Sequence, residues 1–336
     1  DVQIWAARSI GKVFDKLSLP YNRTAKTQAP SFTKNFLQVH KHPLVQDIAK
    51  AREINKAHTT FIDTIIKYQY KGRIHADINP VRGEKGGTVT GRFSYSNPNL
   101  QQVPARNKDL GPMIRSLFLP ERNHTWGCFD YSQQEPRLVV HYAAASPKLR
   151  EDDEVKSIVD RFKNNDVDFH QTVADMAGIE RIQAKTINLG LFYGMGKAKL
   201  QAELGLSTKE EAEKLFEKYH SRVPFVKDLM NNTSRDSQRN GYITTLLGRR
   251  CRFDTWEEAA FRPGRLTSPM TWDEASSKFG EINIIPHIQI HDELDISIES
   301  EQHANKIIDI MQNAVKLHVP NKVDYESGEN WGDIYD

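Results

Sequence analysis

The sequence predicts an α+β (mixed α/β) protein in which a strand-bearing middle and end enclose a helical insertion, behind a helical lead-in. Three observations carry this expectation. Residues 1–70 and 151–244 keep apolar side chains at helical spacing, as in DVQIWAARSIGKVFDKL, PLVQDIAKAREINKAHTTFIDTIIKY and KEEAEKLFEKYHSRVPFVKDLMNN. From residue 73 the texture changes to Gly, Pro, Asn and Arg, with β-prone pieces at 74–78 and 88–90. Finally, IQIHDELDIS, residues 288–297, holds apolar residues at a period of two, the mark of a half-buried strand.

Taken in order, SLPYNRTAKTQAP reads as a loop after the first helix. Ser31-Phe32-Thr33-Lys34 matches the S-x-x-K serine motif, but its partner motifs are missing and Ser31 after Pro30 suits a helix N-cap. TWGCFD reads as a short buried strand and YSQQEPRLVVHYAAA as a helix beginning near Ser132. Ser132 and Glu135 there form an S-x-x-E capping box, and Pro136 is tolerated in the first turn. GYITTLLGRR opens a second mixed part, which ends in the helix HANKIIDIMQNAVKL.

Composition bounds the function. The chain has 336 residues, 38% hydrophobic and 27% charged, with a net charge of +2, so any basic surface is local. Two cysteines far apart, Cys128 and Cys251, argue against a disulfide framework and against structural zinc. No apolar run is long enough to span a membrane and no signal-peptide core opens the chain, so a reducing, cytoplasmic compartment is expected.

Two constellations carry chemistry. Asp130 ends the TWGCF strand, where helix capping competes as an explanation. Asp292 interrupts the apolar parity of IQIHDELDIS between His291 and Glu293, so that stretch is better read as two short strands joined tightly at His291 to Glu293, whose turn lifts Asp292 toward a metal site. Two carboxylates at about 4 Å repel by about 4 kcal/mol at an effective dielectric of about 20. Neither TWGCFD nor IQIHDELDIS holds a lysine or arginine, so divalent cations with oxygen-rich coordination are the economical counter-charge, and a pair of them suits phosphoryl transfer. In RIQAKTINLGLFYGMG, Arg181, Lys185, Leu189 and Tyr193 recur every four residues and make one stripe along a helix. A solvated face explains a lone Arg/Lys pair. Cations running into an apolar and aromatic surface beside Gly190 and Gly194 suit a nucleotide, and His170 just upstream could add a phosphate contact.

Together these pieces resemble the family A DNA polymerases, the bacterial DNA polymerase I group and its phage relatives. The first carboxylate motif, DYSQ-x-E-x-R, stands at Asp130 to Arg137. The fingers motif stands at Arg181, Lys185, Leu189, Tyr193 and Gly194, and HDE at His291 to Glu293. TGR-x-S with PNLQ (Thr90 to Gln101), LGRR (Leu247 to Arg250) and GENW (Gly328 to Trp331) follow in the family's order. The resemblance implies a right-hand architecture: 1–72 as partial thumb, 73–150 as the first part of the palm, 151–244 as fingers, and 245–336 as the second part of the palm. It implies two Mg²⁺ ions held by Asp130, Asp292 and the carbonyl of Tyr131, with Glu293 supporting. Incoming dNTP would meet Gln133, Glu135 as sugar gate, His170, Arg181, Lys185, Leu189 and Tyr193. Primer-template DNA would meet Arg92, Asn99, Gln101, Gln133, Gly194, Arg249 and His291. The expected product is DNA made from dNTPs with release of pyrophosphate, by a monomer of phage-like compactness.

Three departures stand against the pattern. Leu189 replaces the aromatic residue usual on the fingers helix, which bears on sugar discrimination. Between Arg250 and His291 the family's N-x-x-x-QGSAAD palm helix is missing; the stretch looks like an insertion, with a break in sequence near 279–284. A true deletion there favours a weak or inactive polymerase-like DNA-binding protein. No proofreading D-x-E acid pair precedes the thumb, so no exonuclease domain is expected within the chain. A single-subunit RNA polymerase should lack the acid at Glu135, and a nuclease would not explain the cationic stripe.

Overall fold

The computed structural model describes residues 2–80, 87, 88, 90–105, 107–164, 168–192, 195–252 and 286–334. The expected palm-helix gap and the 88–90 strand fall wholly or partly outside these, as do Tyr193 and Gly194.

The lead-in is helical as expected. Helix α1 (Ala7–Lys16) buries Ile10 and Phe14, one turn apart, against Leu37 of α2 (Lys34–Val39) and Val45 and Ile48 of α3 (Pro43–Ala57). Thr33, not Ser31, caps α2: its Oγ1 accepts from Phe36 N–H at 3.3 Å. Ser31 instead lies in strand β2 (Pro30–Ser31), paired with β1 (Asn22–Arg23). After α3 the helix continues through a π turn (His58–Ile62) into α4 (Asp63–Tyr68), as the long polar-faced pattern predicted. Two small antiparallel pairs follow: β3 (Gln69–Tyr70) with β4 (Arg73–Ile74), and β5 (Asp77–Asn79) with β6 (Ser94–Ser96). Helix α5 (Leu110–Arg115) then leads to strand β7 (Thr125–Tyr131).

The helical body contains α6 (Gln134–Ala145), α7 (Asp153–Asn164), α8 (Phe169–Ala177), α9 (Arg181–Phe192), α10 (Lys197–Leu204), α11 (Lys209–Arg222) and α12 (Pro224–Asn240). Its core includes Val140, Phe169, Val173, Ile187, Leu200, Tyr219 and Phe225. A hairpin of β8 (Tyr242–Thr244) and β9 (Arg250–Arg252) follows.

The site is positioned by one antiparallel sheet. Strands β10 (Pro286–Ile290) and β11 (Glu293–Ile298), then β7, then β12 (Val323–Gly328) lie side by side in that order, with helix α13 (Glu301–Asn313) packed on one face. Strand alternation sorts side chains between the faces. Phe129, Leu294, Ile296 and Ile298 go to α13, while Trp126, Cys128 and Ile288 meet Tyr95, Leu100, Ile114 and Trp331 on the other.

IQIHDELDIS is the expected hairpin, two short antiparallel strands joined at the HDE turn. Ile290 pairs with Glu293, so His291 and Asp292 form a two-residue turn, with His291 at φ +59°. Paired residues share a face, so even positions of β10 face the same way as odd positions of β11. Ile288 accordingly lies opposite Asp295, and Ile296 packs on the reverse side. Asp292 was therefore never on an apolar face; it sits in the turn.

Candidate active site

The acids converge because the strand register brings them together. Asp130, next to last in β7, lies opposite Glu293 on β11 and opposite Asp324 on β12. The turn carrying Asp292 is tied to the same point: Tyr131 N–H donates to the Asp292 carbonyl at 3.2 Å. Two residues down β7, Cys128 lies opposite Asp295 and Glu326, so the acids continue along one face. Burial, then repulsion from Asp292, Glu293, Asp324 and Glu326, pushes the Asp130 carboxyl up to about 7. Burial also raises Asp292, while Arg92 pulls it back. That cation comes from outside both acidic motifs. Arg92 Nη2 reaches Glu135 Oε1 at 3.1 Å, in a pair whose side chains are 11% and 19% exposed.

The capping box expected at Ser132 and Glu135 does not form. Helix α6 starts after Gln133, which has φ +52° and makes no side-chain cap. Arg137 holds the turn instead, donating from Nε to the Ser132 carbonyl at 2.8 Å and from Nη1 to Pro320 at 2.6 Å. Glu135 is thereby left for Arg92. Gln133 Oε1 accepts from Phe169 N–H at 2.8 Å, joining this turn to the start of α8.

The cationic stripe lies on α9. Arg181, in its first turn, binds Asp168, the α8 cap, through Nη2 at 2.6 Å and Nε at 2.7 Å. Lys185 is exposed one turn on, and Leu189 is half-buried beyond it. His170 on α8 is buried beside the stripe. Burial first, with help from Lys185 and Arg181, holds its imidazole down to about 4 despite Asp168. Its Nδ1 meets Asn188 Nδ2 at 3.1 Å.

The expected DNA-side residues brace the loops around the sheet. Asn99 Oδ1 accepts from Gln101 N–H at 3.1 Å, and Gln101 Nε2 donates to the Gln289 carbonyl of β10 at 2.9 Å. Arg249 Nη1 donates to the Gly91 carbonyl at 3.2 Å. Gly91 has φ +81°, which favours glycine, and a Cβ there would stand 2.6 Å from that nitrogen and oblige the Arg249 side chain to shift. His291 is exposed at the hairpin turn.

Several residues had escaped the sequence reading. Asp324 and Glu326 alternate in VDYESG, a period-two signal whose meaning depends on pairing with β7. Asp295 is fully buried, accepts from Trp126 Nε1–H at 2.9 Å, and is pushed well above the usual carboxylate range by burial and then by Glu293. Donor atoms of Cys128, Glu293 and Asp295 lie within 4.8 Å of one another, an arrangement able to hold a metal ion. No helix among the described residues is long and apolar enough to cross a membrane.

Comparison with known proteins agrees with this geometry. The profile of DNA polymerase family A matches residues 2–265. The DNA-directed DNA polymerase of Pseudomonas phage M6 is 32% identical over 381 residues, covering 98% of this chain and 57% of the relative. That alignment is longer than this chain's 336 residues, so the phage enzyme carries residues with no counterpart here. DNA polymerase DpoZ of Acinetobacter phage SH-Ab 15497 is 29% identical, with 98% and 57% covered. The thermostable DNA polymerase I of Thermus filiformis is 32% identical, with 95% and 40% covered. The chain thus spans little more than half of the phage relatives and less of the bacterial one. The POL domain of Pol1 from M. smegmatis, solved with DNA primer-template and dNTP, shares the fold at a TM-score of 0.76 and 24% identity, over 99% of this chain and 62% of that one. With most of its length matched by the family profile, and with Asp130 and Asp292 brought together by the sheet, the chain belongs to DNA polymerase family A.

Proposed function

We propose that the chain is the polymerising part of a template-directed DNA polymerase, adding dNMP from dNTP to a primer 3′-hydroxyl with release of pyrophosphate. The observation that carries this is the meeting of Asp130, at the end of β7, with Asp292, in the β10–β11 turn.

The acids suit divalent cations. Each neighbour raises the cost of ionising Asp130, and the donors at the mouth of the site are oxygens, which suits Mg²⁺. Asp130, Asp292 and the Tyr131 carbonyl would hold two such ions, with Glu293 supporting. Bound there, the pair supplies a lowered pKa for the primer hydroxyl and charge neutralisation for the triphosphate. The chain's own side chains bind and orient. Arg181, Lys185 and His170 grip the triphosphate. By the resemblance, Leu189 and Tyr193 would meet the sugar and base, and Gly194 the template. Glu135, steadied by Arg92, fills the space a ribose 2′-hydroxyl needs. Arg92, Gln133, Asn99, Gln101, Arg249 and His291 line the primer-template. In this reading 1–72 is partial thumb, 73–150 and 245–336 are palm, and 151–244 is fingers.

Primer extension with Mg²⁺, supplied with dNTPs or with rNTPs, compares the wild type with Asp292→Asn. Extension with dNTPs alone, abolished by Asp292→Asn, is expected. A second reading has one observation in its favour: the relatives carry residues that this chain lacks. A wild type that binds primer-template but does not extend it would establish that reading, a polymerase-like DNA-binding protein.

A further inference from the structure

We infer that Asn188 and Tyr219 are positioning residues that decide which ring nitrogen of His170 carries its proton, so that the imidazole presents Nε2–H to the phosphates of the incoming nucleotide. The phosphate contact rests on the function proposed above; the choice of nitrogen does not.

Three helices supply the three side chains. His170 comes from α8, Asn188 from α9 and Tyr219 from α11, and all are buried, the last two completely. The Tyr219 hydroxyl donates to Asn188 Oδ1. Asn188 Nδ2 then faces His170 Nδ1 at 3.1 Å.

An amide can be turned end for end, and only the hydrogen-bond network says which way it points. Here the phenol decides. Tyr219 lies wholly inside the helical core, and burial raises its pKa, so its O–H keeps its proton. Among the described residues that proton has one acceptor, Asn188 Oδ1. Turning the amide over would set Nδ2 against the hydroxyl and strand a buried O–H, at a desolvation cost of the full lost bond. The amide nitrogen therefore points to His170.

An amide N–H needs an acceptor, so Nδ1 of His170 offers its lone pair. Burial, with Lys185 and Arg181 on the next helix, keeps the ring neutral against the pull of Asp168. A neutral ring with an unprotonated Nδ1 carries its proton on Nε2. Nε2 has no protein partner among the described residues, which leaves that N–H for a ligand or for solvent. The neighbouring Arg181 and Lys185 provide charge, and His170 adds one directed donor.

Nitrogen-15 NMR of histidine-labelled full chain at neutral pH reads the proton's position, with the His170 signals assigned by their loss in His170→Ala. An Nε2–H tautomer is expected in the wild type. Asn188→Asp, which can only accept at the ring, should move the proton to Nδ1 or charge the ring. Tyr219→Phe, which removes the deciding hydroxyl and little volume, should give a mixture of tautomers. In primer extension, Tyr219→Phe should raise the KM for dNTP about 5-fold with kcat within about 2-fold, and add nothing in a His170→Ala background. A wild-type Nδ1–H tautomer, or one that neither substitution alters, overturns the inference. A correct tautomer with an unchanged KM in His170→Ala overturns the phosphate contact alone.

Discussion

Asp130→Asn should make the cation-free protein more stable at alkaline pH while abolishing synthesis. The wild-type carboxyl stands between Glu293 and Asp324, with Asp292 in the adjoining turn, and is pushed from 3.8 up to about 7. A carboxyl whose folded pKa is raised takes up a proton on folding. Its contribution is fully present below about 4 and is lost as pH rises through about 7. At 1.36 kcal/mol per pKa unit, a rise of about three units amounts to about 4 kcal/mol. Asp130 keeps some contact with water at the hairpin mouth, and screening reduces this to about 2 kcal/mol. Asparagine has the shape of the protonated acid and escapes the penalty at every pH. In urea titrations with a chelator, the two proteins should match near pH 4.5, and the variant should lead by about 2 kcal/mol at pH 8.5. Adding excess MgCl₂ should stabilise the wild type by mass action and leave the variant unmoved, closing the gap. A variant no more stable than the wild type at pH 8.5 in chelator would refute the reasoning.

Glu135→Ala should raise ribonucleotide use in primer extension by about 10- to 100-fold, the usual reach of a steric contact worth 1–3 kcal/mol. Glu135→Gln keeps the bulk and should keep the discrimination, so equal rNTP use by both would remove the steric account. Arg181→Ala should raise the KM for dNTP at least about 10-fold while costing under about 1 kcal/mol of stability, since its pair with Asp168 is 48% and 38% exposed. A loss above 2 kcal/mol in urea would instead mark Arg181 as structural. Trp126→Phe should destabilise by about 2 kcal/mol, because it strips the donor from a buried carboxyl. Asp295→Asn, whose amide oxygen can still accept from the indole, should cost less in the same titration.

How much was legible follows from what range of sequence each feature needs. Asp130, Asp292 and Arg181 sit in short motifs at element ends, where a strand stops or a helix starts, and local pattern finds them. The β10–β11 hairpin is legible because polar HDE interrupts a period-two run, but the packing of Ile288 and Ile296 on opposite faces depends on the length of the turn, which neither residue records. Ser132 and Glu135 satisfy the capping pattern, yet the Glu135 carboxylate goes to Arg92 from a distant segment, while Arg137 holds the Ser132 carbonyl. Asp295, Asp324 and Glu326 join the site through cross-strand register, and Asn188 and Tyr219 through packing of separate helices. None of these pairings has a local signature.

Those long-range pairings also explain why the two halves of the site are not independent. Gln133 is held in the left-handed region, which costs a non-glycine residue roughly 1 kcal/mol, and its side chain spans to the first amide of the His170 helix. That conformation releases Glu135 from capping and delivers it to Arg92. Arg92 in turn opposes the rise that burial imposes on the Asp292 carboxyl. One short turn thus connects α8 to the acid in the hairpin through the Gln133, Glu135 and Arg92 side chains. The first amide of α8 is bound to the same turn that presents Glu135 to Arg92. A helix begun with a conventional cap at Ser132 would turn Glu135 back on its own backbone and take it from Arg92, which the left-handed backbone at Gln133 avoids.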